Sequence, residues 1–510
     1  MFESAATTFA SVAVLGLAGY AYHKYYKWLV LRKMENSFKP GDPVLDMASG
    51  THSPGGVGKI IHPDDDNDYP AVASEDSSEH WVQREEQTRI DQILSGQVTG
   101  HYHLLIGEKG TGKSSMLIEA MRKVEGEGIS MFEAHADLEI FRIRLGKALD
   151  FEFHEDYIGS LFSIRGPRDT TALLDIERAF NKLEKIALKR KHSHQRAGQK
   201  PRPLVLVVNC VHLIRDDDDG RDLLEVLQQR AEAWAAANLV TMVFNSDDYW
   251  VYERFKRYST RMEVLPILDL PQHRAIAALS QYRHKYYPQN PGSVDVLTEV
   301  YKRVGGRLSY LSRVAKSKDM LSTCDAINRA EKTWFLNKCW ILGESMDDDV
   351  MDDQKYSSAA MVLAKALVEK EREDRTNDLV THTLDDSHRL PSIPLHIARQ
   401  IMTRADFIKI YDHDNIFTID SNAMVRADSV PMMNAFREIC TQPGFNDYLE
   451  DTLNRIAAIE SLNRTREITL KDLWTEQSGD LRGRYEFLDI DASGKVKGKR
   501  EFGIKPPADD

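Results

Sequence analysis

The chain has 510 residues, 42% hydrophobic and 29% charged, an ordinary globular composition with length for two or three domains. Its net charge of −12 argues against a broad nucleic-acid-binding surface. The four cysteines, Cys210, Cys324, Cys339 and Cys440, stand far apart with no C-x-x-C, which excludes a zinc ribbon or a dense disulfide framework and leaves free thiols as the expectation.

The first distinctive segment is Ala5 to Tyr22, 18 residues without a charge. As a helix it would be roughly 27 Å long, about one bilayer core. Tyr20, Tyr22, Tyr25, Tyr26 and Trp28 would form an interfacial belt, with Lys24, Lys27, Arg32 and Lys33 close behind and only Glu3 ahead. A signal peptide carries its positive charge before the apolar run, so this order predicts a single-pass transmembrane helix that leaves the bulk of the protein on the side of insertion. Residues 1–33 are therefore read as a membrane anchor with a basic flank. Residues 34–80, with Pro40, Pro43, Gly55-Gly56, Asp64-Asp65-Asp66 and Pro70, are read as a tether.

A helix opening at Trp81 to Gln87 leads into the apolar strand ending at Leu104-Leu105-Ile106, and the strand runs into Gly107-Glu108-Lys109-Gly110-Thr111-Gly112-Lys113-Ser114. This fits G-x-x-x-x-G-K-[ST]. The amphipathic stretch from Ser115 to Val124 supplies the helix that the motif requires after it. Glycines let backbone N–H groups close around a phosphate, the helix N-terminus adds positive potential, Lys113 reaches the β/γ-phosphates and Ser114 ligates Mg²⁺. The expected cofactors are ATP and Mg²⁺, with Gly107 to Ser115 as the binding loop.

Farther on, Ile129 to Ala136 reads as a strand, and Asp137 to Leu149 and Thr170 to Lys191 as helices. The charged stretch Lys189 to Lys200 reads as a loop. Leu204-Val205-Leu206-Val207-Val208 is continuously apolar, as in a strand buried on both faces of a parallel sheet. Leu223 to Ala237 is a helix, Leu239 to Phe244 a strand and Arg261 to Leu265 a last strand. This rhythm predicts an α/β core over residues 81–270, with a parallel sheet, helices on both faces and nucleotide at the strand C-termini. Residues 271–345 read as an all-helical lid. Residues 346–474 open on the acidic run Asp347-Asp348-Asp349 and Asp352-Asp353. They read as a winged helix, with helices at Tyr356 to Glu373 and Pro394 to Thr403, then strands Phe407 to Tyr411 and Ile416 to Ile419 joined across Asp412 to Asn415. The polar tail, 475–510, contains Asp489 to Gly494, which begins like a calcium loop. Its twelfth position is Arg500 rather than a bidentate Glu, and a hairpin turn is the better reading.

Arg84-Glu85-Glu86, the P-loop, the long apolar strand and Gly305-Gly306-Arg307 before a winged-helix pattern together resemble the AAA+ and STAND branch of P-loop ATPases. The likeness, over residues 81–465, is to origin-recognition-like ATPases and, in layout, to fungal membrane-anchored ATPases with a C-terminal winged helix. In that family the strand at 204–208 ends in Asp-Glu, the aspartate orienting Mg²⁺ and the glutamate polarising the attacking water. Here those positions are Asn209 and Cys210, an amide and a thiol. The resemblance places a γ-phosphate sensor at Asn245, arginine fingers among Arg254, Arg257 and Arg261, a lid contact to nucleotide at Arg307 and an adenine-side linker near Arg84. His212 and the run Asp216 to Asp219 are the substitutes for a missing base, although the latter also reads as a solvated turn and helix N-terminus.

The expected function is an ATP-dependent switch or scaffold with weak or absent hydrolysis. The alternatives are an active remodelling ATPase and an organellar nucleic-acid-binding factor. Asp406, Asp412, Asp414 and Asp420 offset Arg399, Arg404 and Lys409, so the winged helix is expected to dock a protein partner, with nucleic acid unlikely and an oligomer possible. The anchor points to a mitochondrial membrane, or alternatively to the endoplasmic reticulum.

Overall fold

The computed structural model describes residues 2–41, 84–153, 171–198, 200–340, 351–381, 390–402, 404–463, 483–490 and 496–504. In chain order the helices are α1 (Phe2–Asn36), α2 (Glu85–Leu94), α3 (Lys113–Lys123), α4 (Leu138–Ala148), α5 (Ala172–Arg196), α6 (Asp218–Ala237) and α7 (Tyr249–Lys256). Five strands alternate with them: β1 (Tyr102–Ile106), β2 (Ile129–Glu133), β3 (Leu204–Asn209), β4 (Val240–Ser246) and β5 (Met262–Pro266). They form one parallel sheet in the order β2-β3-β4-β1-β5.

Every residue of β1, β3 and β4 is buried because both sheet faces are covered. Alternate side chains enter different cores: Leu104, Leu206, Val208 and Phe244 pack with α5 and α6, whereas Leu105, Val205, Val207 and Val243 pack with α2 and α3. That two-residue alternation converts an all-apolar run into a sheet with two hydrophobic layers. The strand order has one decisive consequence. β4 lies between β1 and β3, so the end of β4 stands beside both the P-loop and the end of β3.

The lid comprises α8 (Gln272–Tyr286), α9 (Val294–Val304), α10 (Leu308–Lys316) and α11 (Met320–Cys339) around its own apolar cluster. Buried Arg283 donates to the carbonyls of Asn290, Ala315, Ser317 and Lys318, tying the C-terminal end of α10 to α8. After α12 (Met351–Thr381), the winged helix consists of β6 (Ser392–Pro394), α13 (Leu395–Ile401), α14 (Ile408–His413), β7 (Phe417–Ile419), β8 (Met424–Ala427) and α15 (Val430–Cys440). Its strands pair antiparallel in the order β6-β8-β7.

Several expectations are corrected. Residues 408–413 are helical rather than a strand: Ile408, Tyr411 and Asp412 are the buried positions, an i, i+3, i+4 pattern. The hairpin is β7–β8, turning at Asp420 to Ala423. Helix α5 continues through Arg196 into the stretch expected as a loop, with a cap from Thr171. Asp352 and Asp353 lie in the first turn of α12, whereas the Asp347 to Asp349 run lies outside the described residues.

The expected anchor is helical, but among the described residues no helix is long and apolar enough to cross a membrane. Ser11, Gly16, Gly19 and the tyrosines dilute its apolar run. Nor does a tether begin at residue 34. Met34 and Phe38 are buried in the core cluster of the sheet, and Lys33 and Glu35 pair with Glu152 and Lys189. The remainder of the expected tether, from residue 42, lies outside the described residues.

The chain divides into two compact units, residues 1–449 and 450–510. Helix α16 (Phe445–Asn463) spans that division. Within the second unit the polar tail contains an antiparallel pair, β9 (Gly483–Ile490) and β10 (Val496–Ile504). The loop between them, which holds most of the rejected calcium motif, lies outside the described residues.

Candidate nucleotide-binding site

The P-loop leaves β1 through Gly107, where a Cβ would lie 2.1 Å from the Ile267 carbonyl oxygen. Only glycine fits that approach. Gly110 and Gly112 have φ of 83° and 99°, and Gly112 is the N-cap of α3, with no side chain capping the helix. An uncapped eleven-residue helix opening on this loop fits an anionic ligand. Thr111 Oγ1 donates to the Glu108 carbonyl at 2.9 Å, and Arg84 donates to the Thr111 carbonyl at 2.6 Å and to that of Leu268. Arg84 thus braces the loop against the segment after β5. Lys109 and Ser115 are exposed.

Lys113 is buried. Its Nζ donates to the carbonyls of Gly107 (2.7 Å) and Glu108 (2.8 Å), and it lies 2.8 Å from Asp247 Oδ1. The metal-site candidate Ser114 belongs to a neutral triangle. Its Oγ donates to Asn209 Oδ1 at 3.0 Å, and Asn245 Nδ2 donates to Ser114 Oγ at 3.1 Å and to Asn209 Oδ1 at 2.5 Å. Asn245 Oδ1 is buried and, among the described residues, has no hydrogen-bond partner, an acceptor open to a metal-bound water or another donor. The glycine-lined loop, the buried Lys113 ammonium and this hydroxyl–amide cluster fit a nucleotide phosphate with Mg²⁺. Lys113 would hold the β/γ-phosphates, Ser114 the metal.

Cys210 follows β3 in the left-handed region, φ 54°. Burial pushes its thiol up to about 11, reinforced by the Asp247 and Glu133 carboxylates, so it is a neutral thiol at physiological pH and no general base. His212 Nδ1 accepts the Asp247 backbone N–H at 3.1 Å, and its Nε2 lies 3.7 Å from Asp247 Oδ2. The aspartate run is structural: Asp217 caps α6 at Gly220, and Asp216 pairs with Arg221 and Arg254. Arg254 is engaged there, while Arg257 lies over the Tyr258 ring and Arg261 donates to the Gly100 carbonyl.

The lid and winged helix both reach the loop. Ser309, at the start of α10, donates its backbone N–H to the Gly110 carbonyl at 3.1 Å. Arg307, just before it, is buried between Asp269 of the core side and Asp428 after β8. Burial pushes the Asp428 carboxyl up to about 6, against the pull of Arg307. Arg426 of β8, 14% exposed, pairs with the buried Glu108 of the P-loop itself.

Residues 80–242 match the family described as AAA ATPase domain, and residues 337–460 match the fungal AAA protein C-terminal winged helix domain. The chain thus carries an AAA ATPase domain followed by a winged helix of the fungal AAA type. No curated protein matches it. Among solved structures the chain is similar to the Walker-type ATPase of Pyrococcus abyssi, at 11% identity and TM-score 0.43, over 70% of this chain and 97% of that one. It is also similar to the ORC1 protein of Aeropyrum pernix in complex with DNA, at 13% identity and TM-score 0.35, over 72% and 95%. Drosophila ORC bound to DNA gives 14% and 0.31, over 75% and 96%. The expectation that nucleic acid is an unlikely partner is not borne out.

Three site residues escape sequence reasoning. Asp247 sits in Asn245-Ser246-Asp247-Asp248, which reads as turn chemistry. Arg426 and Asp428 are more than 300 positions from the loop, and no local pattern joins them to it.

Proposed function

We propose that this AAA ATPase is an ATP-dependent switch whose nucleotide state sets the geometry of core, lid and winged helix, and that it hydrolyses ATP slowly or not at all. The Glu108–Arg426 pair carries the reading, because it joins the phosphate-binding loop directly to the winged helix. Phosphate entering the loop must rearrange around that pair. Weak hydrolysis is supported by the neutral amides of Asn209 and Asn245 and the protonated thiol of Cys210, where rapid phosphoryl transfer needs charge and a base. The winged helix is proposed to meet a protein partner once released, since Lys409 and Arg399 are now paired with Glu253 of α7.

Calorimetry and a phosphate-release assay on the full chain test this together. The expected result is Mg²⁺-ATP binding that Lys113→Ala abolishes, with negligible turnover. Turnover near 1 s⁻¹ or faster, about the lower end for typical enzymes, would sink the switch reading.

The N-terminal helix is proposed to hold the protein at a membrane, a mitochondrial one by the charge order of the anchor. Phe9 and Leu17 are 79% and 69% exposed, and Val12, Val14 and Leu15 are exposed beside them. An apolar stretch of that size in contact with water calls for lipid or a partner. Recovery of the native protein in the soluble fraction after cell lysis would remove this part.

A further inference from the structure

We infer that Asp247 is a built-in substitute for the nucleotide's terminal phosphate, holding the Lys113 ammonium until ATP displaces it, and so sets the affinity of the loop for nucleotide. The inference rests on the nucleotide-binding reading above and adds a residue to it.

Three observations support it. The Lys113 ammonium has three protons, and the carbonyls of Gly107 and Glu108 take two of them at 2.7 and 2.8 Å, with Thr111 Oγ1 farther off at 3.5 Å. Asp247 Oδ1, at 2.8 Å, takes the third direction, which is the one left for a ligand. A carboxylate oxygen and a phosphate oxygen are anionic acceptors that meet an ammonium at similar distances, so they compete for one position.

Asp247 is also held in place. It follows β4, which the strand order sets beside the P-loop, and its backbone N–H donates to His212 Nδ1 in the turn after β3. That bond puts the imidazole proton of the neutral ring on Nε2, on the side facing Asp247 Oδ2 at 3.7 Å. The aspartate is therefore positioned from two strand ends and is not a surface side chain that happens to reach the lysine.

Finally, β3 and β4 end on amide and hydroxyl side chains, Asn209, Asn245 and Ser246, and not on a carboxylate. Ser114, Asn209 and Asn245 form a neutral cluster, leaving Asp247 as the anion that balances Lys113. A terminal phosphate brought to Lys113 would meet this carboxylate as a like charge, so the aspartate must give up its contact as the phosphate binds.

The test is calorimetric titration of the full chain with Mg²⁺-ATP, comparing wild type, Asp247→Asn and Asp247→Ala. Asparagine keeps the size and the backbone bond to His212 but loses the charge, and alanine is the second variant if the first folds poorly. Hydrogen bonds between charged groups contribute more than neutral ones, so the expected change is an affinity roughly tenfold tighter in each variant. Unchanged affinity would overturn the inference. Weaker affinity would also overturn it, showing that Asp247 helps to hold metal or nucleotide. If wild type binds and only the variant ratio disappoints, the nucleotide reading stands without the latch. Absence of binding in all three proteins at millimolar ATP removes both.

Discussion

At the end of β3 an amide accepts from the hydroxyl of Ser114 and a thiol follows it in the chain, and their chemistry decides what the site can do. Asn209 accepts hydrogen bonds from Ser114 and Asn245 but adds no charge, and the Cys210 thiol is held neutral by burial. If these two side chains limit hydrolysis, then Asn209→Asp with Cys210→Glu should raise the turnover rate. Restoring a positioned base is worth about 10²–10⁴-fold. A single-turnover assay reads this directly, and no gain in a variant that still binds ATP would place the limitation elsewhere, for instance at Asp247. The loop was legible because a phosphate site needs glycines, lysine and a hydroxyl at fixed spacing after a strand, whereas Asn209 and Asn245 were placed only by the resemblance to AAA+ ATPases. Asp247 was not legible, because Asn245-Ser246-Asp247-Asp248, which run across the end of β4, are also good turn formers. Only the strand order, β4 between β1 and β3, brings that turn to Lys113.

Elements were legible where one face or one period dominated. The continuous apolar runs at β3 and β4 required burial on both sides, and the sheet supplies it. The segment 407–411 misled because Phe407-Ile408-Lys409-Ile410-Tyr411 is too short for its apolar spacing to separate one period from the other. The tertiary contacts of Ile408, Tyr411 and Asp412 chose the helix. That helix also carries a titrating contact. His413, at its C-terminal end, lies 2.8 Å from Asp248 Oδ2 at the start of α7, and this partner raises its pKa above 6.5, with Asp414 adding to the effect and Lys338 opposing it. A histidine with a raised folded-state pKa binds its proton more tightly when folded. Its contribution is fully present below about 6.5 and is lost as the pH climbs through the raised value. The thermal midpoint of the wild type should therefore fall, relative to His413→Gln, as buffers move from slightly acidic to slightly alkaline. Parallel pH profiles for the two proteins would show that the contact adds nothing to docking.

Across the whole molecule, the arrangement of the winged helix on the ATPase core is set by buried charge, which sequence patterns do not display. Arg307 of the lid lies between Asp269 and Asp428, Asp412 accepts the backbone N–H of Tyr249, and Arg426 reaches Glu108 in the loop. Such pairs specify one docked arrangement more than they stabilise it, because desolvation of the two ions offsets much of their attraction. Breaking one from a single side is different, since it leaves an uncompensated charge. Arg426→Met strands Glu108, which is 2% exposed, and should lower stability by about 3–5 kcal/mol or drive the winged helix off the loop. Hydrogen exchange over residues 392–440 distinguishes these outcomes, being faster throughout that segment only if the domain undocks. The double variant Arg426→Met with Glu108→Leu removes both ions and should recover most of the loss. If the single variant instead stays within about 0.5 kcal/mol of wild type, as a surface substitution does, the pair is no clasp between loop and winged helix. The switch would then have to act through Arg307 and the lid.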